Sequence, residues 1–442
     1  MSPWALVAAG AVIACYAALS RRLSTTVVSG PLVFMAAGLA MGPLGLGLVG
    51  EGGDPESVRA LLESALAVVL FTDAAAIRRG ELRREGFVPL RLLALGLPLT
   101  FALGWLVAWP LLPGLGAWEL ALVAVILGPT DAALGQQAIS DRRVPALVRH
   151  GLDVESGLND GLALPFFLLA LAAAGGGHGE QGIGETFLRA LLLSSAIGFA
   201  GGWAVARLLR WSASRTWTAH GWHQLSSLAV PVVTYPLAVA VEGSGFIAVW
   251  VAGLAFGNVL RPSLAVALAG DVDADAAGSA TEFAERLGLL LASLSFLAFG
   301  AAVLGPVLEH LTWQMPVYAV LSLTVIRMLP VAAALLGTGL RPATIAYIGW
   351  FGPRGLASIV FGLLAVEEHL PGTRILDGAV AVTVALSVCL HGATAPLLGG
   401  RYGAWYARAL AADPGLKEHA DLPAEGVRTP RGGPDAAQRR RR

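Results

Sequence analysis

Charged and hydroxyl side chains stand within otherwise apolar runs at five places in this chain. One run contains GPTDAAL, with Thr130 and Asp131, and another contains DVESGLNDG, with Asp153, Glu155, Ser156, Asn159 and Asp160. Arg327 sits near the centre of a third run, WFGPRGL places Arg354 in a fourth, and LFTDA places Asp73 in a fifth. A lone charge deep in a run long enough to cross a bilayer costs at least about 2.5 kcal/mol, so such groups mark ion pathways, proton relays or compensating pairs. The residue types narrow the chemistry. Carboxylate, hydroxyl and backbone oxygens are hard donors able to hold a proton or a monovalent cation. No HExxH, no Gly-x-Ser-x-Gly and no histidine pair at membrane depth accompanies them, which argues against an intramembrane enzyme.

Helical spacing sorts these groups. Ser156 and Asp160 are four residues apart and share a face, with Asp153 on the same stripe, while Glu155 and Asn159 form a second stripe about 100° away. One stripe can hold a cation and the other can bind neighbouring helices. Pro129 and Pro353 each follow a glycine, Gly128 and Gly352. A proline lacks the N–H and clashes with the preceding turn, so both runs should unwind at that point. Unwound segments at midplane leave free carbonyls and half-helix ends, the parts that coordinate cations in transporters. Each break is followed by one charge, Asp131 and Arg354, opposite in sign and suited to compensate half-helix dipoles. His391, flanked by small residues in CLHGATAP, reads as a helix-packing hydrogen bonder.

The elements that must position these residues are membrane helices. Of the 442 residues 56% are hydrophobic and only 14% are charged, with a mean hydropathy of +0.69. A soluble domain carries roughly 25% charged residues, so this surface faces lipid. The 30 Lys and Arg balance the 30 Asp and Glu, which argues against a nucleic-acid partner needing a basic face. Cys15 and Cys389 lie in apolar runs and cannot build a disulfide framework or zinc site. About thirteen runs of spanning length recur, centred near residues 11, 35, 67, 100, 128, 160, 198, 232, 252, 294, 326, 353 and 386. The first lacks a cationic lead and reads as a retained helix, not a cleaved signal. The fold class is therefore all-α and polytopic. The two proline breaks fall in the fifth and twelfth spans, whose opposite directions suit an inverted-topology repeat with two broken crossing helices.

Arginine placement tests that count. Arg21 and Arg22, the group Arg78 to Arg84, then Arg142, Arg143 and Arg149, Arg207 to Arg215, Arg261 and Arg341 all follow odd-numbered spans, while acidic loops such as Glu51 to Glu56 follow even ones; Arg374 is the main exception. Positive loops mark the cytoplasmic side, so the N-terminus is expected outside and the C-terminus in the cytoplasm of a multi-pass plasma-membrane protein. Residues 1–400 form the membrane domain. Residues 401–442 read as a short, disordered, Arg-rich cytoplasmic tail, and residues 265–280 as a flexible connector. No soluble domain of useful size is expected, which removes ATP hydrolysis.

At these motifs the chain resembles the monovalent cation/proton antiporters, specifically the sodium/proton exchanger branch of the NhaP and NHE type. The block VESGLNDG with its Asn159-Asp160 pair carries the resemblance most strongly, supported by GPTDAAL, GSGFIAVWVAGLAFGN, WFGPRGL and SVCLHGATAP in that order. The resemblance implies thirteen helices, a homodimer, and a six-helix core moving against a dimerisation domain. It implies a site for Na⁺ built on Asp160, Ser156 and the unwound Thr130, with Asp73 as the acidic residue of the third helix. It also implies that Glu155 pairs with the buried Arg327. Two departures stand out: Ala132 where the family has proline, and Pro353 where leucine is common.

The mechanism expected is competition of a proton and a cation for one carboxylate, Asp160. No cofactor is called for; the transported Na⁺ and H⁺ are the small-molecule partners, in an electroneutral one-for-one exchange. Oxygen ligands suit Li⁺ and K⁺ as well, so a K⁺/H⁺ antiporter of the same architecture is the alternative.

Overall fold

The computed structural model describes residues 3–23, 26–49, 55–77, 87–131, 134–175, 180–260 and 276–419, and among these there is no β-strand. The helices are α1 (Pro3–Leu23), α2 (Gly30–Met41), α3 (Pro55–Ala76), α4 (Phe87–Leu111), α5a (Ala117–Ile126) and α5b (Gln136–Ser140). They continue as α6 (Ala146–Ala174), α7 (Glu180–Ser214), α8 (Ser226–Ala240), α9 (Gly245–Leu260) and α10 (Ala276–Ala298). The last are α11 (Gln314–Ala334), α12a (Pro342–Trp350), α12b (Leu356–Glu367) and α13 (Thr373–Ala412). Seven of the described helices are long and apolar enough to cross a membrane, and five more are shorter and apolar. Every expected centre falls within one of these elements or in the interruption between its two halves.

The helices pack as two bundles. One unites α1, α2, α3, α7, α8, α9 and α10; the other unites α4, α5a, α6, α11, α12a, α12b and α13. Their cohesion differs in kind. The first relies on close approach through small residues, the mode available where lipid removes the hydrophobic drive between helices. Gly198 and Gly202 of α7 lie against the Ala248 and Ala252 carbonyls of α9, and Gly253 and Gly257 of α9 lie against the Phe71 and Ala75 carbonyls of α3. The second bundle is tied by buried polar side chains, described below. Helices α3 and α9 meet α6 along the boundary, and α3 also meets α12b. At one end of that boundary Arg59 of α3 bonds Glu367 of α12b at 2.7 Å.

The chain beyond residue 400 is ordered further than composition suggests. Helix α13 runs on to Ala412, and Glu418 is buried, accepting from the Arg341 N–H at 2.8 Å and the Thr344 hydroxyl at 2.7 Å. Apolar anchoring by Leu416 and the capping of α12a by Glu418 supply what charge content alone does not reveal. The rest of the expected tail, residues 420–442, lies outside the described residues. So do the arginine-bearing loop from Arg78 to Arg84, Glu51, Asp54, His178, Arg261, most of the expected connector, and Ala132.

Candidate functional site

The fifth span stops being helical at Ile126 and the twelfth at Trp350, and the two non-helical segments bind each other. The Asp131 N–H donates to the Pro353 carbonyl at 2.8 Å, a backbone bond between the two breaks. Helix ends leave carbonyls and N–H groups without intrahelical partners, and each break supplies the other's. The Arg354 guanidinium, fully buried, donates to the carbonyls of Gly128 and Pro129, the latter at 3.0 Å. The Ser358 hydroxyl donates to the Ile126 carbonyl at 2.7 Å. In the other direction, Asp131 accepts the Leu356 N–H at 3.0 Å and lies at the start of α12b. A positive group thus sits on the C-terminal end of α5a and a negative group on the N-terminal end of α12b, the arrangement that half-helix dipoles favour.

Helix α6 presents its polar stripes to this crossing. The Thr130 hydroxyl lies 3.0 Å from that of Ser156 and accepts from Asn159 Nδ2 at 2.7 Å. Thr130, Ser156, Asn159 and Asp160 are all buried. Asp160 Oδ1 and Asn159 Oδ1 are buried acceptors with no hydrogen-bond partner. Uncompensated buried oxygens are costly, so this point in the protein suits a proton or a cation. The charge environment agrees: Asp131 and Asp73 both act electrostatically on Asp160. The Cβ of Asp73 stands 3.7 Å from where a Cβ on Gly157 would be. It therefore faces α6 between the levels of Ser156 and Asp160. The expected set of Asp160, Ser156, Thr130 and Asp73 is brought to one region of α6.

The second stripe binds the bundle. Glu155 receives a two-pronged bond from Arg327, Nη1 to Oε1 at 2.6 Å and Nη2 to Oε2 at 2.8 Å, with both side chains almost completely buried. Parallel N–H···O bonds of this kind are the strongest arrangement available to a guanidinium and a carboxylate. His391 closes the twelfth-span break from α13. The Ser387 hydroxyl accepts the Arg354 backbone N–H at 2.7 Å and faces His391 Nδ1 at 3.1 Å, while His391 Nε2 lies 2.9 Å from the Trp350 carbonyl. His391 Nδ1 also lies 3.0 Å from the Ser387 carbonyl, so each ring nitrogen faces a backbone acceptor. These contacts tie α13 to the end of α12a and to the unwound segment that follows it.

Three contributors were not legible beforehand. Ser358 and Ser387 look like ordinary small residues of membrane helices; only the fold shows that their hydroxyls serve the opposite break and the α12 backbone. Gly355 is the third. A Cβ there would occupy the space of the Asp131 carboxylate, so the close approach of the two segments needs glycine. The tight G-P-R-G sequence was its only signal.

Comparison with known proteins places this geometry in context. The chain is 26% identical over 379 residues to the K⁺/H⁺ antiporter NhaP of Alkalimonas amylolytica, covering 85% of this chain and 62% of that protein. It is 27% identical over 382 residues to the K⁺/H⁺ antiporter NhaP2 of Shewanella oneidensis, with the same coverage. The chain thus spans about 62% of the length of these curated relatives. In fold it is similar to the sodium proton antiporter MjNhaP1 of Methanocaldococcus jannaschii, with a TM-score of 0.70 at 20% identity over 88% of this chain and 98% of that one. Residues 8–399, which include every site residue named above, match the family model described as sodium/hydrogen exchanger, transmembrane, and the chain belongs to that family.

Proposed function

We propose that this protein is a secondary active antiporter that exchanges a monovalent cation for H⁺, one for one, by alternating access around Asp160. The observation that carries this reading is the buried, unpartnered Asp160 oxygen beside the Thr130–Ser156 hydroxyl pair at the crossing of two unwound segments. A bare carboxylate is expensive to hold away from water, so Asp160 moves either protonated or with a cation bound. Thr130 and Ser156 complete the oxygen set for the ion. Asp73, on the other bundle, is a water-linked accessory. Asn159 orients the Thr130 hydroxyl, and the Glu155–Arg327 pair holds α6 to α11. Asp131 and Arg354 stabilise the two half-helix ends and carry no cargo.

The same reading places a homodimer in the plasma membrane, with the N-terminus outside and the arginine-rich side, including the tail beyond the membrane domain, in the cytoplasm. Na⁺ is the cargo proposed first, with Li⁺ accepted by the same oxygens. The names of the Alkalimonas and Shewanella relatives support K⁺ as the second reading. Purified protein in liposomes, assayed for cation-dependent proton movement with Na⁺, Li⁺ and K⁺ in turn, decides between them. Proton movement driven by none of the three would overturn antiport itself.

A further inference from the structure

Three arginine–tryptophan stacks occur among the described residues, and all three fall in residues 203–217, at the end of α7. The Arg207 guanidinium lies 5.4 Å from the Trp203 ring centre, and that of Arg215 lies 4.9 Å from Trp211 and 5.5 Å from Trp217. Such stacks occur roughly once per 70–80 residues. Three within a single helix end are therefore a local construction and not background.

The turn that builds them is specific. Thr216 adopts φ +56°, the left-handed region that a β-branched residue rarely enters. Beyond it the Trp217 N–H returns to the Ser212 carbonyl at 3.1 Å, and the Ser212 and Thr218 hydroxyls meet at 2.7 Å. This folds the Trp217 ring onto that of Trp211, edge to face at 5.0 Å, with Arg215 against both. Strain kept at a surface position points to a use for the geometry it holds. Trp217 and nearby Trp222 are 64% and 70% exposed.

The charge here is one-sided. The sequence between Glu185 and Glu242 contains no Asp or Glu, yet it carries Arg189, Arg207, Arg210 and Arg215. Among the described residues no carboxylate pairs with Arg207, Arg210 or Arg215; Arg210 bonds the Val259 carbonyl at 3.1 Å. Aromatic faces hold the Arg215 guanidinium while leaving its N–H edge unused, and that edge matches the oxygens of a phosphate.

We propose that this arginine–tryptophan collar is a clamp for the headgroup of an anionic phospholipid in the leaflet at that end of α7. Tryptophan rings settle at the boundary between hydrocarbon and headgroups. The stacked guanidinium then meets the phosphate at that level, and an anionic lipid adds the charge attraction that a zwitterionic one lacks. The inference rests on the membrane setting alone and is independent of which cation is carried.

The test is native mass spectrometry of the purified full chain titrated with dioleoylphosphatidylglycerol or dioleoylphosphatidylcholine, with inorganic phosphate as a competitor. The wild type is expected to prefer phosphatidylglycerol. Arg215→Gln and Trp217→Ala should each weaken that binding about fivefold and leave phosphatidylcholine binding unchanged. Arg215→Lys, which keeps the charge but not the planar stack, should fall between the wild type and Arg215→Gln, and serves if the glutamine variant does not fold. Wild-type preference for phosphatidylglycerol in Arg215→Lys and Trp217→Ala would overturn the proposal. So would displacement of the lipid by an equal concentration of inorganic phosphate, which would make this a free-anion site.

Discussion

Arg354 and Asp131 each cap the other's broken helix. The Arg354 guanidinium takes the carbonyls of Gly128 and Pro129, and the Asp131 carboxylate takes the Leu356 N–H. Opposite charges placed on opposite half-helix ends are favourable twice over, once with each dipole, so the crossing is held without using Asp160. The proposed mechanism accordingly assigns the exchange of load to Asp160 of α6.

Asp160→Asn is expected to abolish cation-driven proton flux in liposomes while the purified protein keeps its helical circular dichroism and its size-exclusion profile. An amide cannot cycle between protonated and cation-bound states at neutral pH. Residual Na⁺- or K⁺-dependent flux in this variant would remove Asp160 from the centre of the mechanism.

Glu155 and Arg327 should behave as a unit in stability. Deleting one partner of a buried ion pair leaves an uncompensated charge and typically costs about 3–5 kcal/mol. Glu155→Gln and Arg327→Gln should therefore each lower the melting temperature strongly, and the double variant should lose clearly less than their sum. Strictly additive shifts would mean the two-pronged contact contributes no coupling.

A methyl group should be intolerable at Gly355 and harmless at Gly10. The first would enter the space of the Asp131 carboxylate, whereas nothing lies within 4 Å of the second. Overpacking of a tight contact costs about 1–3 kcal/mol, and at Gly355 it also pushes the two unwound segments apart. Gly355→Ala should lose both stability and transport. Gly10→Ala, inside α1, should match or slightly exceed the wild type in a thermal melt.

Exchange should be indifferent to voltage. With Glu155 neutralised by Arg327, and with Asp131 and Arg354 on the half-helix ends, a single carboxylate carries one charge in each direction, always compensated by H⁺ or the cation. An unbalanced charge would couple the rate to about 2.3 kcal/mol per 100 mV. Initial exchange rates in liposomes clamped by valinomycin at either sign of potential should coincide. A rate that follows the potential would bring Asp73 in as a second proton carrier.

The thirteen span positions, the two unwound points and the polar stripes of α6 were legible in the sequence because local physics sets them. Apolar length, the missing N–H of Pro129 and Pro353, and a repeat of 3.6 residues per turn all act within one segment. The same locality explains why Ser156 and Asp160 could be put on one face, and Glu155 and Asn159 on another, without any partner in view. What serves those residues from elsewhere was decided only by the tertiary structure. Ser358 reaching Ile126, Ser387 linking Arg354 to His391, and Gly355 yielding its space to Asp131 join positions more than 30 residues apart. A hydroxyl or a missing side chain in a membrane helix has no local signature that distinguishes such a task from simple packing. The tail shows the same limit in reverse: its composition suggested disorder from residue 401, but α13 runs on to Ala412 and Glu418 caps α12a, a contact with a helix more than 60 residues earlier.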